Sequence, residues 1–424
     1  MDLTTTKSTL NGTVDIPGSK SHTIRAVAIA SLAGGDSHIR GPLDSSDTQA
    51  AVETYRALGA TIDQSEDGWH ITGTNGNLTA PAETIDVGNS GTTIRIAMGS
   101  ASLIPEGTVT LTGDEQIQQR PAGPLAKALN DLGATVTDIG DTACPPYKIQ
   151  GRIQGGETTI ECKTSQYLSS LLMCCPLAEN DTRIIVPLLN EAPYIGITLD
   201  WLRRQGVTVN YAEDYSEFNI PGNQSYKPVN RHIPADFSSA TFFLAAGALP
   251  GNNVVCNALD YDDTQGDKVV VEYLRSLVAT VTVNETSIHV TNAALTGCEI
   301  DMNATPDALP MMAVLGCFAQ GETRLTNCPQ ARMKETDRIA VMAQELKKLG
   351  ADIQELPDGL VIRESKINSG TVQGHGDHRV IMSLAIAGTQ IEDGITIEGA
   401  DAIAVTYPTF IEDLREIGGQ VESR

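Results

Sequence analysis

The sequence predicts an α/β fold assembled from six repeated units, and three observations carry that prediction. A helix-ending glycine motif recurs about every 70 residues. A strongly apolar helix precedes it in every interval, and a β-rich run lies between the two. The motif reads Leu58-Gly59-Ala60-Thr61, Leu132-Gly133-Ala134-Thr135, Gln205-Gly206-Val207-Thr208, Val278-Ala279-Thr280-Val281, Leu349-Gly350-Ala351-Asp352 and Ile417-Gly418-Gly419-Gln420. Taken at 59, 133, 206, 279, 350 and 418, its turn positions stand 74, 73, 73, 71 and 68 residues apart. Glycine after a helix and before an extended run is the usual helix stop.

The apolar helices are expected at residues 23–32, 92–103, 166–177, 238–249, 308–319 and 379–388. An amphipathic helix precedes each motif, most clearly at 335–349, where Ile339, Met342, Leu346 and Leu349 form one stripe. Runs such as Thr108-Val109-Thr110-Leu111 and Thr396-Ile397 supply strands, so each unit reads helix, turn, strand, helix, strand. That is a βαβ-type pattern. Solenoid repeats are the alternative, but theirs are shorter, about 20–50 residues. A chain of 424 residues exceeds one hydrophobic core. Six units divide into two domains of three, with a boundary near the loop Gly222-Asn223-Gln224-Ser225-Tyr226-Lys227-Pro228. A cleft between two such domains is a common ligand site.

Composition narrows the function classes. Apolar content of 41% with 19% charge describes an ordinary globular chain. The start, Met1-Asp2-Leu3-Thr4-Thr5-Thr6-Lys7, lacks a secretory layout, and the apolar runs at 27–33 and 171–177 are far short of a membrane span. A cytoplasmic protein with no membrane partner is expected. The eight cysteines form no C-x-x-C pair and read as buried free thiols. His375 and His378 form an H-x-x-H without further ligands nearby, so no metal is expected. A net charge of −24 argues against a nucleic-acid partner. An anionic ligand would need the few cations gathered in one place.

The segments that open the apolar helices suggest such a gathering. They are Pro17-Gly18-Ser19-Lys20-Ser21, Gly88-Asn89-Ser90-Gly91-Thr92, Lys163-Thr164-Ser165-Gln166, Asp236-Phe237-Ser238-Ser239, Thr305-Pro306-Asp307 and Gly376-Asp377-His378-Arg379. Ordinary helix capping explains any one of them. Cations alter the balance: Arg25 lies one turn after Ser21, and Arg95 one turn after Gly91. Helix N-termini with adjacent Lys or Arg are anion sites. Arg120, before Pro121, and Lys334-Glu335-Thr336-Asp337-Arg338, read as a helix start, add further charge. Asp307 and Glu335 are the acid–base candidates; a carboxylate at a helix N-terminus is favoured ionised, which suits Asp307 as a proton acceptor.

Together these residues resemble the 5-enolpyruvylshikimate-3-phosphate synthase family over essentially the whole chain. Pro17-Gly18-Ser19-Lys20-Ser21 with Arg25 is similar to the family's substrate-binding start, and Gly88-Asn89-Ser90-Gly91-Thr92-Thr93-Ile94-Arg95 to its phosphoenolpyruvate loop. Arg120-Pro121, Ser165-Gln166, Pro193-Tyr194, Asp236-Phe237-Ser238-Ser239-Ala240, Pro306-Asp307-Ala308, Lys334-Glu335-Thr336-Asp337-Arg338 and Asp377-His378-Arg379 follow in the family's order.

The resemblance implies a two-domain inside-out α/β barrel of six βαβαββ-type repeats, three per domain. It puts residues 20–231 in one domain and 1–19 with 232–424 in the other. It implies transfer of the enolpyruvyl group of phosphoenolpyruvate to the 5-hydroxyl of shikimate 3-phosphate, in chorismate and aromatic amino acid biosynthesis, by a monomer without metal or organic cofactor. Lys20, Ser21, Arg25, Thr164, Ser165, Gln166, Asp307 and Lys334 would hold shikimate 3-phosphate. Lys20, Gly91, Arg120, Gln166, Arg338 and Arg379 would hold phosphoenolpyruvate. Asp307 would act as base and Glu335 as acid, with Lys20 also in the catalytic set.

Two departures stand out. Glu191 precedes Pro193-Tyr194 where the family often has serine near the phosphate; an ionised glutamate would repel that group, so the side chain is expected to point away. Ala404-Val405-Thr406-Tyr407-Pro408 lacks a lysine that some members present to phosphoenolpyruvate, while others carry valine there. Two rivals remain. The related UDP-N-acetylglucosamine enolpyruvyl transferase is expected to carry a cysteine on the loop that here reads Asp114-Glu115-Gln116-Ile117-Gln118-Gln119-Arg120, and none occurs. A non-catalytic relative that binds an anionic metabolite would not need both Asp307 and Glu335.

Overall fold

Twelve α-helices run in pairs along the chain in a computed structural model that describes every residue from Met1 to Arg424. They are α1 (Lys20–Leu32) and α2 (Ser46–Ala57), α3 (Gly91–Ala101) and α4 (Gly123–Asp131), α5 (Ser165–Cys174) and α6 (Ala192–Gln205), α7 (Phe237–Ala248) and α8 (Val270–Ser276), α9 (Leu309–Phe318) and α10 (Arg338–Lys348), and α11 (His378–Gly388) and α12 (Phe410–Glu416). The first helix of each pair is the apolar one, and nearly all its residues are buried. A helix apolar all round belongs inside a core. The second helix of each pair keeps an exposed face.

The chain forms two units, Gly18–Ile233 and Met1–Pro17 with Pro234–Arg424. Each contains three four-stranded sheets. In the first unit, Gly34–Arg40 pairs in parallel with Asn230–His232 on one side and antiparallel with Gly68–Thr74 on the other, with Thr61–Ser65 outermost. The other two sheets of this unit, centred on Thr108–Thr112 and Thr182–Leu189, repeat that arrangement of one parallel and two antiparallel pairings. The second unit follows the same rule, with two strands supplied from the start of the chain. Leu3–Thr6 lies between Ile395–Glu398 and Gln420–Ser423, so the start of the chain completes the sheet built by its end. Asn11–Asp15 likewise pairs in parallel with Asn253–Asn257. Each repeat thus contributes four strands, where the local pattern alone indicated two.

The six helix ends close alike. At the first, Gly59 N–H donates to the Arg56 carbonyl and Ala60 N–H to that of Tyr55; the same pair of bonds recurs at Gly133, Gly206, Gly350 and Gly418. These glycines have φ between +74° and +107°, a region that costs a residue with a Cβ. The fourth copy corrects the sequence register. Val278, not Ala279, takes the left-handed conformation, with φ +70°, and donates to Arg275 while Ala279 donates to Leu274. The intervals on either side of it become 72 residues each (206 to 278 to 350).

A second correction concerns residues 334–337, which lie outside α10. Asp337 is the cap: its carboxylate accepts from Ala340 N–H at 3.0 Å and from Arg332 at 2.6 Å, and the helix begins at Arg338. Lys334 and Glu335 therefore sit on the approach to a helix rather than on its first turn. All eight cysteines are free thiols, and burial pushes those of Cys162 and Cys317 up to about 12. No helix is long and apolar enough to cross a membrane.

Candidate active site

In the unit Gly18–Ile233, the apolar helices begin at residues the sequence singled out. Ser19, Ser90 and Thr164 each offer a side-chain oxygen to an amide in the first turn of α1, α3 and α5. The arginines one turn on fold back over these starts. Arg25 donates from Nη1 to the Ser21 carbonyl at 2.9 Å, and Arg95 from Nη1 to the Gly91 carbonyl at 3.1 Å. Arg25 also donates to Thr198 Oγ1 at 2.9 Å, Ser169 Oγ at 3.1 Å and the Tyr194 carbonyl at 3.4 Å. All these partners are neutral oxygens. Burial lowers the Arg25 guanidinium to about 10, with slight relief from Tyr194, so it remains charged at neutral pH.

Gly91 is a close-approach glycine. A Cβ there would come within 2.6 Å of Arg120 Nη2 and 2.7 Å of Arg95 Nη1. Arg95 also donates to the carbonyls of Arg120 and Pro121, which ties the head of α3 to the loop carrying Arg120. Lys20 forms an ion pair with Asp47 at 2.9 Å, both largely buried. Gln166 Nε2 donates to Thr92 Oγ1 at 3.1 Å and so bridges the heads of α5 and α3. Lys20 thus meets Asp47, which lies outside the segments the sequence singled out, and Gln166 meets Thr92, inside one of them but not among the expected site residues. Neither carries a local signal beyond its place in a helix start.

Glu191 does not point away. Its backbone is left-handed, φ +58°, just before α6, and its buried carboxylate reaches back to the head of α5. It accepts from Ser165 N–H at 3.2 Å, Ser165 Oγ at 3.0 Å and Thr164 Oγ1 at 3.0 Å. Three hydrogen-bond donors hold the carboxylate in that position.

In the other unit the charges are paired. Asp307, in the 3-10 turn Pro306–Ala308 ahead of α9, lies 2.8 Å from Arg338 Nη1, 3.0 Å from Arg379 Nη2 and 3.5 Å from Lys334 Nζ. Glu335 pairs with Arg338 Nη2 at 2.5 Å, and Asp377 with Arg338 Nε at 2.8 Å. Burial alone would lower the Arg338 guanidinium, but the charges of Asp377, Glu335 and Asp307 outweigh it and raise it. Asp377 also caps α11 through Arg379 N–H at 2.9 Å. Its double duty is the part of this cluster that the sequence left unread, although the Asp-His-Arg cap was visible. The five expected residues of this unit, Asp307, Lys334, Glu335, Arg338 and Arg379, thus meet around one carboxylate and one guanidinium. His375 instead bonds Glu345 at 2.8 Å.

Comparison with known proteins decides the family. The profile of EPSP synthase (3-phosphoshikimate 1-carboxyvinyltransferase) matches residues 4–414. The chain belongs to the EPSP synthase family. It is 50% identical to the 3-phosphoshikimate 1-carboxyvinyltransferase of Acetivibrio thermocellus, with 98% of each chain covered. It is 48% identical to that of Ruminiclostridium cellulolyticum over 100% of both. The structure is similar to EPSP synthase from Acinetobacter baumannii, with a TM-score of 0.82 at 28% identity and full coverage of both chains. As an EPSP synthase family member the protein is a transferase of the shikimate pathway and of aromatic amino acid biosynthesis.

Proposed function

We infer that the protein joins phosphoenolpyruvate to shikimate 3-phosphate and releases phosphate, with its two anion-rich substrates held by the cations described above. Among the two transferases weighed from the sequence, the names of the relatives favour shikimate 3-phosphate over a nucleotide sugar. The observation that carries the mechanistic reading is the Asp307 cluster. Two carboxylates, Asp307 and Glu335, share the Arg338 guanidinium, which supports reading one as the proton acceptor and the other, once protonated, as the donor.

In this reading Asp307 takes the proton of the 5-hydroxyl as that oxygen bonds to C2 of phosphoenolpyruvate. Glu335 gives a proton to C3, which becomes a methyl group, and a tetrahedral ketal phosphate results. Loss of phosphate with a proton from that methyl restores the double bond as the enolpyruvyl ether. Lys20, Ser21, Arg25, Thr164, Ser165, Gln166, Asp307 and Lys334 serve shikimate 3-phosphate. Lys20, Gly91, Arg120, Gln166, Arg338 and Arg379 serve phosphoenolpyruvate. Fixed cations act most strongly on developing charge where water is excluded. The two units are proposed as the two enolpyruvyl transferase domains of three repeats each, in a cytoplasmic monomer.

The test is phosphate release from purified protein given both substrates, beside Asp307→Ala and Glu335→Gln. Release should need both substrates and fall by about 10²–10⁴ in each variant, the usual worth of a positioned acid or base. A folded wild-type protein that releases no phosphate would favour the non-catalytic, metabolite-binding alternative.

A further inference from the structure

The Glu191 carboxylate sits at the head of α5. Three donors, Ser165 N–H, Ser165 Oγ and Thr164 Oγ1, converge on its Oε2 atom at 3.0–3.2 Å. Amides and hydroxyls at a helix N-terminus are the donor set that recognises phosphate. The placement is not an accident of a long mobile side chain. Glu191 is 2% exposed and its backbone holds the left-handed conformation, rare for a residue with a side chain. Unusual backbone held by its surroundings points to a function for the side chain it aims. Continuity with the rest of the site supports this. One turn along α5, Ser169 accepts from Arg25, and one turn along α6, the Tyr194 carbonyl does the same.

We propose that Glu191 is a resident occupant of the phosphate seat, which shikimate 3-phosphate must displace, and that it thereby sets the affinity for that substrate. The proposal rests on the reading that Thr164 and Ser165 bind the phosphate of shikimate 3-phosphate. A carboxylate and a phosphate are both acceptors only, so the three donors serve one or the other. Like charges in one seat repel as well. Arriving substrate therefore breaks three hydrogen bonds and turns Glu191 outward before it makes its own. The seat discriminates between ligands: a dianionic phosphate can replace the carboxylate, whereas unphosphorylated shikimate offers only a neutral hydroxyl there.

The experiment compares wild type with Glu191→Gln and Glu191→Ser, varying shikimate 3-phosphate at saturating phosphoenolpyruvate, with thermal melting as the fold check. KM for shikimate 3-phosphate should fall about tenfold in Glu191→Ser, equivalent to about 1.4 kcal/mol, and less in Glu191→Gln. KM for phosphoenolpyruvate should stay within about twofold, since the competition is for another anion. A KM for shikimate 3-phosphate that is unchanged or higher in a folded Glu191→Ser overturns the proposal, because it means that Glu191 either coexists with the phosphate or contacts the substrate. A wild type inert toward shikimate 3-phosphate would instead overturn the function itself, so the two failures are distinguishable.

A separate observation in the same unit carries a second inference. His38 and His70 stand directly opposite each other on Gly34–Arg40 and Gly68–Thr74, with rings stacked at 4.2 Å and 10° between planes. Asp67, in the turn just before the second of these strands, places a carboxylate oxygen 3.3 Å from His70 Nε2. One ligand atom from each of the three lies within 4.8 Å of the others. Ser65 Oγ donates to the Asp67 carboxylate at 2.6 Å and orients it, as outer-shell partners of metal ligands do.

We infer a surface site for a zinc-class dication held by His38, Asp67 and His70, with water completing the shell. Two imidazoles and one carboxylate are a common donor set for that class. The test is equilibrium dialysis of the full chain against zinc alone at neutral pH, beside His38→Asn and His70→Asn. One equivalent should bind to wild type, and affinity should drop at least about tenfold in each variant. Equal binding by wild type and both variants overturns the inference and moves the metal elsewhere, the free cysteines first.

Discussion

Each unit buries more than one arginine, and the most deeply buried of each are treated in opposite ways. Arg25 is 2% exposed and is held by hydroxyls and carbonyls, so burial lowers its guanidinium. Arg338 is 1% exposed and is ringed by Asp307, Glu335 and Asp377, so its guanidinium is raised despite burial. The first is a desolvated cation held by neutral oxygens. The second is already neutralised and acts as a clamp for carboxylates. The same residue type is thus buried in two ways, distinguished by what surrounds it.

Arg338→Met should produce the largest effect. Three buried or largely buried carboxylates lose their shared partner, and unpairing buried charge costs about 3–5 kcal/mol. Denaturant unfolding should show that loss, with turnover abolished; a change under about 1 kcal/mol would mean that Arg338 is not the clamp. Arg25→Met should behave differently. Its partners can satisfy one another, since Ser169 Oγ and Thr198 Oγ1 lie 2.9 Å apart and Thr198 Oγ1 donates to the Tyr194 carbonyl at 3.2 Å. Stability should move by no more than about 1 kcal/mol while KM for shikimate 3-phosphate rises at least tenfold. A stability loss as large as that of Arg338→Met would erase the comparison.

Glu345 extends the contrast to a buried carboxylate. Burial alone would raise its pKa, but Lys348, His375 and the Gln373 amide outweigh that and hold it below the usual range. A folded-state pKa below the unfolded value contributes stability that is present above the unfolded pKa, near 4.3, and lost as pH falls through the folded one. Glu345→Gln should therefore flatten the acid limb of a stability–pH curve and cost about 1–3 kcal/mol at neutral pH. An acid limb identical to wild type would show that the carboxylate's bonds contribute little. The smallest expected effect is a gain. Val278→Gly relieves a β-branched residue at φ +70° and should stabilise by about 1 kcal/mol, read as a raised Tm.

Val278 also shows where the sequence could and could not be read. The repeat was legible because glycine marks the left-handed turn at the other five helix ends; where valine takes that conformation the signal vanishes, and the register slips to the nearest small residue, Ala279. The helix starts were legible from their caps, but a run such as Lys334-Glu335-Thr336-Asp337 looks helical by composition. Only the capping bond of Asp337 to Ala340 shows where the coil ends. Of the site, the residues within each cluster could be anticipated one motif at a time. The direction of Glu191 could not, since charge argued for avoidance while a left-handed backbone and three donors decided otherwise. Strand partners hundreds of residues apart leave no local trace at all.

That last feature orders events at the ribosome. Gly18–Ile233 is one continuous stretch, and all three of its sheets can close once residue 233 has emerged. The opening strand Leu3–Thr6 must wait for Ile395–Glu398 and Gln420–Ser423, at the far end of the chain. From residue 233 to 424 is 191 residues. At about 5–20 residues per second that strand waits about 10–40 s longer for its partners. Of the six sheets, the one that holds Leu3–Thr6 is therefore the last that synthesis allows to close.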